Sequence, residues 1–201
     1  MSLFRKIFGL KDTPEDHIKS EERGKYMPEI KLPIDEKFTI NFKANGGKFL
    51  YCENMEEIHK TLKKILQENN WEGKSVFLLD TRLKDLFKDF DLKPTRNPSE
   101  SEYFLSTCEY LIADDGSLLI SSNQIAEKQL RDLPPNFVIY ATTSQFVENI
   151  GEGLRGIKNK NRDKIPTNIT TIKHFKTIED KNFLSYGSSS KNLYLLLLED
   201  L

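Results

Sequence analysis

Short, strongly apolar runs place the tightest limit on how this chain can fold. They are SVFLLD (75–80), FVIYAT (137–142), ITTIKHF (169–175) and LYLLLL (193–198). Helical patterns separate most of these runs, and short apolar strands are typical of a sheet that is covered on both faces. The alternation predicts a layered α/β domain in which all these runs are strands of one central, mainly parallel sheet.

The helical patterns differ in strength. The clearest one follows Asn54, which forms the pattern of a capping box with Glu57 and precedes apolar residues at helical spacing: Met55, Ile58, Leu62, Ile65 and Leu66. Shorter helices are predicted over 83–90 and 123–131, and a longer one over 144–158. The last contains GEGLRG, whose glycines indicate close packing or, less favoured, the approach of a ligand.

The amino-terminal part of the chain differs from the rest in composition. Residues 1–37 are charged and carry Pro14, Pro28 and Pro33, which predicts a largely irregular lead-in to a single domain over 38–201. MSLFRKIFGL is interrupted by Arg5 and Lys6, so no export signal is predicted. No run reaches the ~20 apolar residues of a membrane span.

Charge and composition exclude several classes of protein. The chain has 30 Lys and Arg against 31 Asp and Glu, so a nucleic-acid partner is not expected. Its two cysteines and three histidines lie far apart in the sequence, so we expect no metal, no iron–sulfur cluster and no bound cofactor. A reduced, cytoplasmic setting fits the cysteine content.

The stretch CEYLIADDGSLLISSN (108–123) predicts a hairpin and also suggests a small site. Gly116 is free to take positive φ, while Asp114 and Asp115 can hydrogen-bond to the local chain, so a simple turn is the favoured interpretation. The alternative is a ligand site at the carboxyl end of a strand, where Gly116 admits a ligand and Ser117 offers a hydroxyl.

Two other polar stretches suggest anion binding. Ser188 and Ser189 follow Gly187 and precede a strand, so their hydroxyls could hold a carboxylate or phosphate, although such a run is ordinarily a solvated loop. NGG at 45–47 predicts a hairpin turn, because no Gly-Lys-Ser/Thr follows as in a phosphate loop.

The order of several segments resembles the lactate-utilization (LUD) domain, the family of lactate utilization protein C. The segments are CEYLIADDGSLLIS, LPPNFVIYATTSQFV, GIKNKNRDKIPTNITT and SSSKNLYLLLLED, and the resemblance runs from about Phe38 to the last residue. The family's Ala-Glu-Thr-Gly-Thr turn corresponds to 113–117. Phe137 stands where the family has histidine, and IKHFKTIEDK and YGSSSK stand where it has Gly-Pro-Ser and His-Gly-Pro.

The resemblance implies a three-layer fold similar to the sugar-phosphate isomerase and coenzyme A transferase superfamily. It also implies an accessory role beside two iron–sulfur proteins in the oxidation of L-lactate to pyruvate, with residues 114–117 and Ser188 and Ser189 as candidate ligand contacts. Fold alone does not fix function, so two alternatives stay open. One is a small-molecule isomerase or transferase that acts on a carboxylate or phosphate compound, and the other is a degenerate ligand-binding module.

Overall fold

A computed structural model describes residues 32–175 and 191–200, and it contains two sheets flanked by helices. The helices are α1 (Ile34–Ala44), α2 (Met55–Glu68), α3 (Thr81–Leu86), α4 (Ser122–Ile125) and α5 (Ile150–Lys160). The strands are β1 (Lys48–Cys52), β2 (Ser75–Phe77), β3 (Lys93–Thr95), β4 (Tyr103–Thr107), β5 (Tyr110–Ile112), β6 (Ser117–Ile120), β7 (Asn136–Thr142), β8 (Phe146–Val147), β9 (Thr170–Ile172) and β10 (Asn192–Leu198).

The larger sheet has the strand order β1-β10-β7-β4-β2-β3, and every pair of neighbours is parallel. Most residues of its central strands β10, β7 and β4 are buried, and the half-buried ones lie mainly at the strand ends. The predicted α/β class with a mainly parallel central sheet is therefore confirmed.

The two faces of β1 show how this sheet is covered. Side chains alternate along a strand, so Phe49 and Cys52 point to opposite faces. Phe49 meets the rings of Phe38 and Phe42 from α1. Cys52 belongs to the apolar cluster that α2 forms on the other face with Ile58 and its neighbours.

The smaller sheet corrects one prediction. It has the order β8-β5-β6-β9, and β9, from the run ITTIKHF, pairs antiparallel with β6 instead of joining the parallel sheet. The run mixes polar residues with apolar ones, and Thr170 and Thr171 are only half-buried, which suits a strand outside the fully covered sheet. The hairpin predicted within 108–123 is confirmed as β5 and β6.

Helix boundaries follow their caps. The Asn54 side chain accepts from Glu57 N at 3.0 Å, and α2 buries its predicted apolar face. The helix predicted from residue 144 instead begins at Ile150, because Asn149 caps it by accepting from Glu152 N at 3.1 Å.

Within 123–131, where one or two helical turns are predicted, the structure has a single α-helical turn, α4. It ends at Ile125, because the next residue, Ala126, has a φ of +52°.

NGG at 45–47 does not form the predicted hairpin. Asn45 ends α1, Gly46 takes a φ of +87°, and the chain passes directly into β1. The domain boundary placed at residue 38 stays a prediction, and Phe38 lies within α1.

Candidate functional site

A cleft of about 790 Å³ lies at the carboxyl ends of three parallel strands. The cleft is lined by residues 79–83, which come after β2. It is also lined by Thr107 and Thr142, the last residues of β4 and β7, and by residues 108, 109 and 144, which come just after these strands. The amino end of α4 and the carboxyl end of α5 complete its wall through Asn123 and Lys160. Open α/β sheets bind ligands at this edge, so the cleft is the candidate functional site.

Two carboxylates in the cleft have different surroundings. Asp80 follows β2 and accepts a forked pair of hydrogen bonds from the Arg82 guanidinium, with Nη2 at 2.7 Å from Oδ2. The Arg82 side chain beside it lowers the pKa of Asp80, although burial opposes the shift. Glu109 instead accepts from neutral groups, the Ser121 hydroxyl at 2.6 Å and the Asn123 amide at 2.9 Å.

The two cations of the cleft also differ. The hydrogen-bonded Asp80 carboxylate raises the pKa of Arg82 and already neutralises its charge. Lys160 is the last residue of α5, and its Nζ lies 4.7 Å from the centre of the Tyr110 ring. Within the described residues, no carboxylate oxygen lies within 4.0 Å of Lys160 Nζ. Its charge is therefore available to an anionic ligand.

Gln145 holds the end of β4 in place. Its side-chain amide donates to the carbonyl oxygen of Cys108 at 2.6 Å and to that of Glu109 at 3.3 Å. Cys108 lines the cleft but is buried, and burial raises the pKa of its thiol, so it stays protonated near neutral pH. Cys108 is therefore unsuited to act as a nucleophile.

Hydroxyl groups at the end of β7 are fixed by Asp200. The Asp200 carboxylate accepts from the Thr143 hydroxyl at 2.8 Å, from Ser144 N at 2.8 Å and from the Ser144 hydroxyl at 2.7 Å. Desolvation raises the pKa of Asp200, but the hydrogen bonds from Ser144 and Thr143 outweigh it and lower the pKa to about 2. The hydroxyl of Ser144, which lines the cleft, therefore has a fixed orientation.

The hairpin turn predicted as a site lies against α1, and its residues do not line the cleft. The Asn41 amide donates to the carbonyl oxygen of Ala113 at 2.8 Å. Lys37 Nζ contacts Asp114 Oδ1 and Glu148 Oε1, each at 2.5 Å.

Ser117 is 1% exposed and donates to Asp115 Oδ1 at 2.6 Å. A ligand site at 114–117 stays a prediction, and Ser188 and Ser189 lie outside the described residues.

The glycines of GEGLRG pack against protein, which agrees with the favoured interpretation. A Cβ at Gly153 would lie 2.9 Å from Leu119 Cδ2, and one at Gly156 would overlap the Tyr110 ring. In the described part of the chain, no three His, Cys, Asp or Glu side chains converge as metal ligands would. Each helix of that part is too short or too polar to cross a membrane.

The cleft residues were missed by sequence reasoning for different reasons. Asp80 directly follows an apolar run, and its place at the end of a predicted parallel strand was a usable signal. Glu109 and Lys160 are far apart in sequence, and only the pairing of β5 with β6 and the packing of α5 on Tyr110 bring them to one cleft.

Comparisons with known proteins agree with this architecture. The chain has the α/β class of fold with a ligand-sized cleft at the carboxyl edge of its sheet. It matches the family model described as the LUD domain over residues 95–198, and it belongs to that family, a domain associated with lactate utilization.

A solved structure has a similar fold. It is a crystal structure of a DUF162 family protein from Deinococcus radiodurans, with a TM-score of 0.58 and 13% sequence identity, and the similarity covers 85% of this chain and 100% of that one. No curated protein matches the chain.

Proposed function

We propose that this protein is a cytoplasmic accessory subunit of bacterial L-lactate oxidation whose cleft binds a small carboxylate. Membership of the LUD family supports the link to lactate. The carboxylate is supported by Lys160, a cation that lines the cleft with no carboxylate of the described residues against it. A ligand carboxylate would complete this ion pair and could accept from the cleft hydroxyls.

Titration calorimetry with L-lactate and with pyruvate tests the ligand. Lys160→Gln should weaken binding about tenfold, because it removes one charge-assisted hydrogen bond. Lys158→Gln is the matched control, since Lys158 is exposed on the same helix but does not line the cleft. Equal affinity in the Lys160→Gln variant and the unmodified protein would contradict the proposal.

The hairpin turn is tested in the same experiment. Asp114→Asn changes a carboxylate that contacts Lys37 and lies outside the cleft lining. If the cleft holds the ligand, this variant binds pyruvate normally. Weakened binding in Asp114→Asn together with normal binding in Lys160→Gln would move the ligand to the turn predicted from the sequence.

The proposed partners are two iron–sulfur proteins, which the resemblance to the LUD family implies. The two cysteines of this chain, both buried and free, agree with a subunit that brings no cluster of its own. The test is to express this protein together with any Cys-rich proteins that neighbouring genes encode. The proteins should form a complex that elutes as one peak in size-exclusion chromatography. Separate elution of all three chains under reducing, anaerobic conditions would contradict the partnership.

A second candidate is an enzyme of the isomerase type. The cleft places an acid, hydroxyls and a cation together through Glu109, Ser144 and Lys160. A carboxylate base beside a bound carbonyl compound can remove a proton from the neighbouring carbon. Exchange of the pyruvate methyl protons in heavy water, followed by NMR and lost in Glu109→Gln, would favour this enzyme. No exchange above the rate in buffer would favour a binding module.

A further inference from the structure

A second cavity, of about 580 Å³, shares no lining residue with the cleft. It lies on the α2 side of the large sheet, near the amino ends of β2 and β4. Rings form much of its wall: His59 from α2, Trp71 from the segment before β2, Phe90 from the segment after α3, and Tyr103 from the first position of β4. Ring walls of this kind suit a flat, apolar molecule.

The hydroxyl of Tyr103 lacks a partner. Tyr103 is 1% exposed, and burial raises the pKa of its phenol, yet no group of the described residues is hydrogen-bonded to its oxygen. In the same part of the chain, every side-chain polar atom that is sealed from solvent does have a partner. The Tyr103 oxygen therefore reaches solvent, and the cavity that Tyr103 lines is the space it meets.

Trp71 presents a similar group. It is 4% exposed, and its ring stacks on Tyr103 with centroids 5.1 Å apart and planes inclined by 11°. No acceptor among the described residues binds its indole N–H, which can only donate. The neighbouring Tyr194 is different, because its hydroxyl oxygen accepts from Lys48 Nζ at 2.9 Å and from the Asn69 side-chain amide at 3.1 Å.

Charges around the cavity nearly cancel. Its lining includes two lysines and three carboxylates: Lys60, Lys63, Glu72, Asp89 and Asp91. Lys60 is already paired with Glu56 at 2.7 Å. This arrangement gives an anion no advantage over a neutral ligand, in contrast to the cleft with Lys160.

We propose that this cavity is a binding site for a small, neutral, planar molecule with a carbonyl oxygen, which accepts from Tyr103 and Trp71. The rings supply the apolar contact, and the polar atoms of Tyr103 and Trp71 have no acceptor among the described residues, so both donors are free to bind a ligand oxygen in place of solvent. This site is separate from the cleft, so the proposal does not depend on whether the cleft binds a carboxylate.

The chain has one tryptophan, so the indole N–H gives a single cross-peak in a proton–nitrogen correlation spectrum. The probes are para-fluoroacetophenone, which has a carbonyl, fluorobenzene, which has no such acceptor, and the anion para-fluorobenzoate. We expect para-fluoroacetophenone to shift the indole cross-peak and to bind about three- to tenfold more tightly than fluorobenzene. We expect para-fluorobenzoate to bind no more tightly than the neutral ketone.

Tyr103→Phe removes only the partnerless hydroxyl, so it should unfold at the same or a higher temperature and bind the ketone about three- to tenfold more weakly. Tyr194→Phe is the matched control, because it removes a hydroxyl that already has partners outside the cavity lining, and its affinity for the ketone should be unchanged. If Tyr103→Phe does not fold, Trp71→Phe replaces it as the test variant. Fluorine NMR of the probes then measures the affinity of Trp71→Phe for the ketone.

Four results would overturn the proposal. Three are an unmoved indole cross-peak with the ketone, equal affinity for ketone and fluorobenzene, and unchanged affinity in the folded ring variants. The fourth is tighter binding of para-fluorobenzoate, because the ligand would then be an anion.

Discussion

Gly116 of the β5–β6 turn lies directly against the backbone of Asn41 in α1. A Cβ built on Gly116 would lie 2.8 Å from the Asn41 carbonyl oxygen and would overlap the backbone nitrogen of Phe42. Gly116 also has a φ of +66°, which L side chains rarely adopt. The turn therefore requires glycine both for its conformation and for its contact with α1.

The first prediction compares Gly116 with Gly73. Gly116→Ala should lower the free energy of unfolding by about 2–5 kcal/mol, because strain at positive φ is added to the overlap with α1. Gly73→Ala should cost only about 1–2 kcal/mol. Gly73 has a similar φ of +64°, but its nearest neighbour to an added Cβ is a side-chain oxygen of Asp91 at 3.5 Å. Urea unfolding measures both changes, and equal losses would contradict the contact with α1.

The second prediction concerns Ser117, the first residue of β6 after the hairpin turn. Because Ser117 is buried and its hydroxyl donates to Asp115, Ser117→Ala should cost about 1–2 kcal/mol rather than a negligible amount. Urea unfolding of this variant measures the loss. Ser99→Ala is a control, since its hydroxyl bonds Asn97 on an exposed turn and should contribute less. A smaller loss for Ser117 than for Ser99 would contradict the argument from burial.

Much of the large sheet could be predicted from the sequence because local patterns carry the information. The apolar runs that became β2, β7 and β10 need cover on both faces, and α2 has a cap and an apolar face of regular spacing. Strands β1 and β4 were missed because KFLYC and YFLST mix polar and apolar residues. The separate sheet of β9 was missed because pairing with β6 depends on distant residues.

The candidate site was less predictable than the fold. Lys160 and Glu109 reach one cleft only through the packing of α5 and the pairing of β5 with β6. The sequence instead pointed to DDG at 114–116, because aspartate and glycine occur both in simple turns and in ligand sites. Gly116 could not be distinguished there, because the backbone of α1 that it contacts lies about seventy residues earlier.

The third prediction compares two glycines of α5. Gly156→Ala should destabilise the protein by about 1–2 kcal/mol, because its methyl group would overlap the Tyr110 ring. The energetic cost of this overlap should exceed the gain in helix propensity. Gly151→Ala should leave stability unchanged or raise it by up to about 1 kcal/mol, since alanine favours the helix and its Cβ would meet only the Asn149 cap, at 3.2 Å. Thermal unfolding measures both.

Tyr110→Phe provides a further check on the third prediction. The Tyr110 hydroxyl is among the atoms that the new methyl group overlaps, so this second change should recover part of the loss in Gly156→Ala. No recovery in the double variant would contradict the proposed overlap.

The fourth prediction is a pH dependence that comes from Asp200. Its pKa in the folded protein is about 2, below the ordinary 3.8, because hydrogen bonds from Ser144 and Thr143 favour the charged carboxylate despite desolvation. The unfolded chain therefore binds a proton first as the pH falls. The stabilisation is complete above pH 3.8 and is lost as the pH falls towards about 2.

Asp200→Asn should thus be less stable than the unmodified protein at neutral pH, and the difference should narrow through this window. Urea unfolding across the window measures it, with Asp163→Asn on an exposed segment as the control. A difference that stays constant down to pH 2 would mean that the Asp200 charge does not supply the stability.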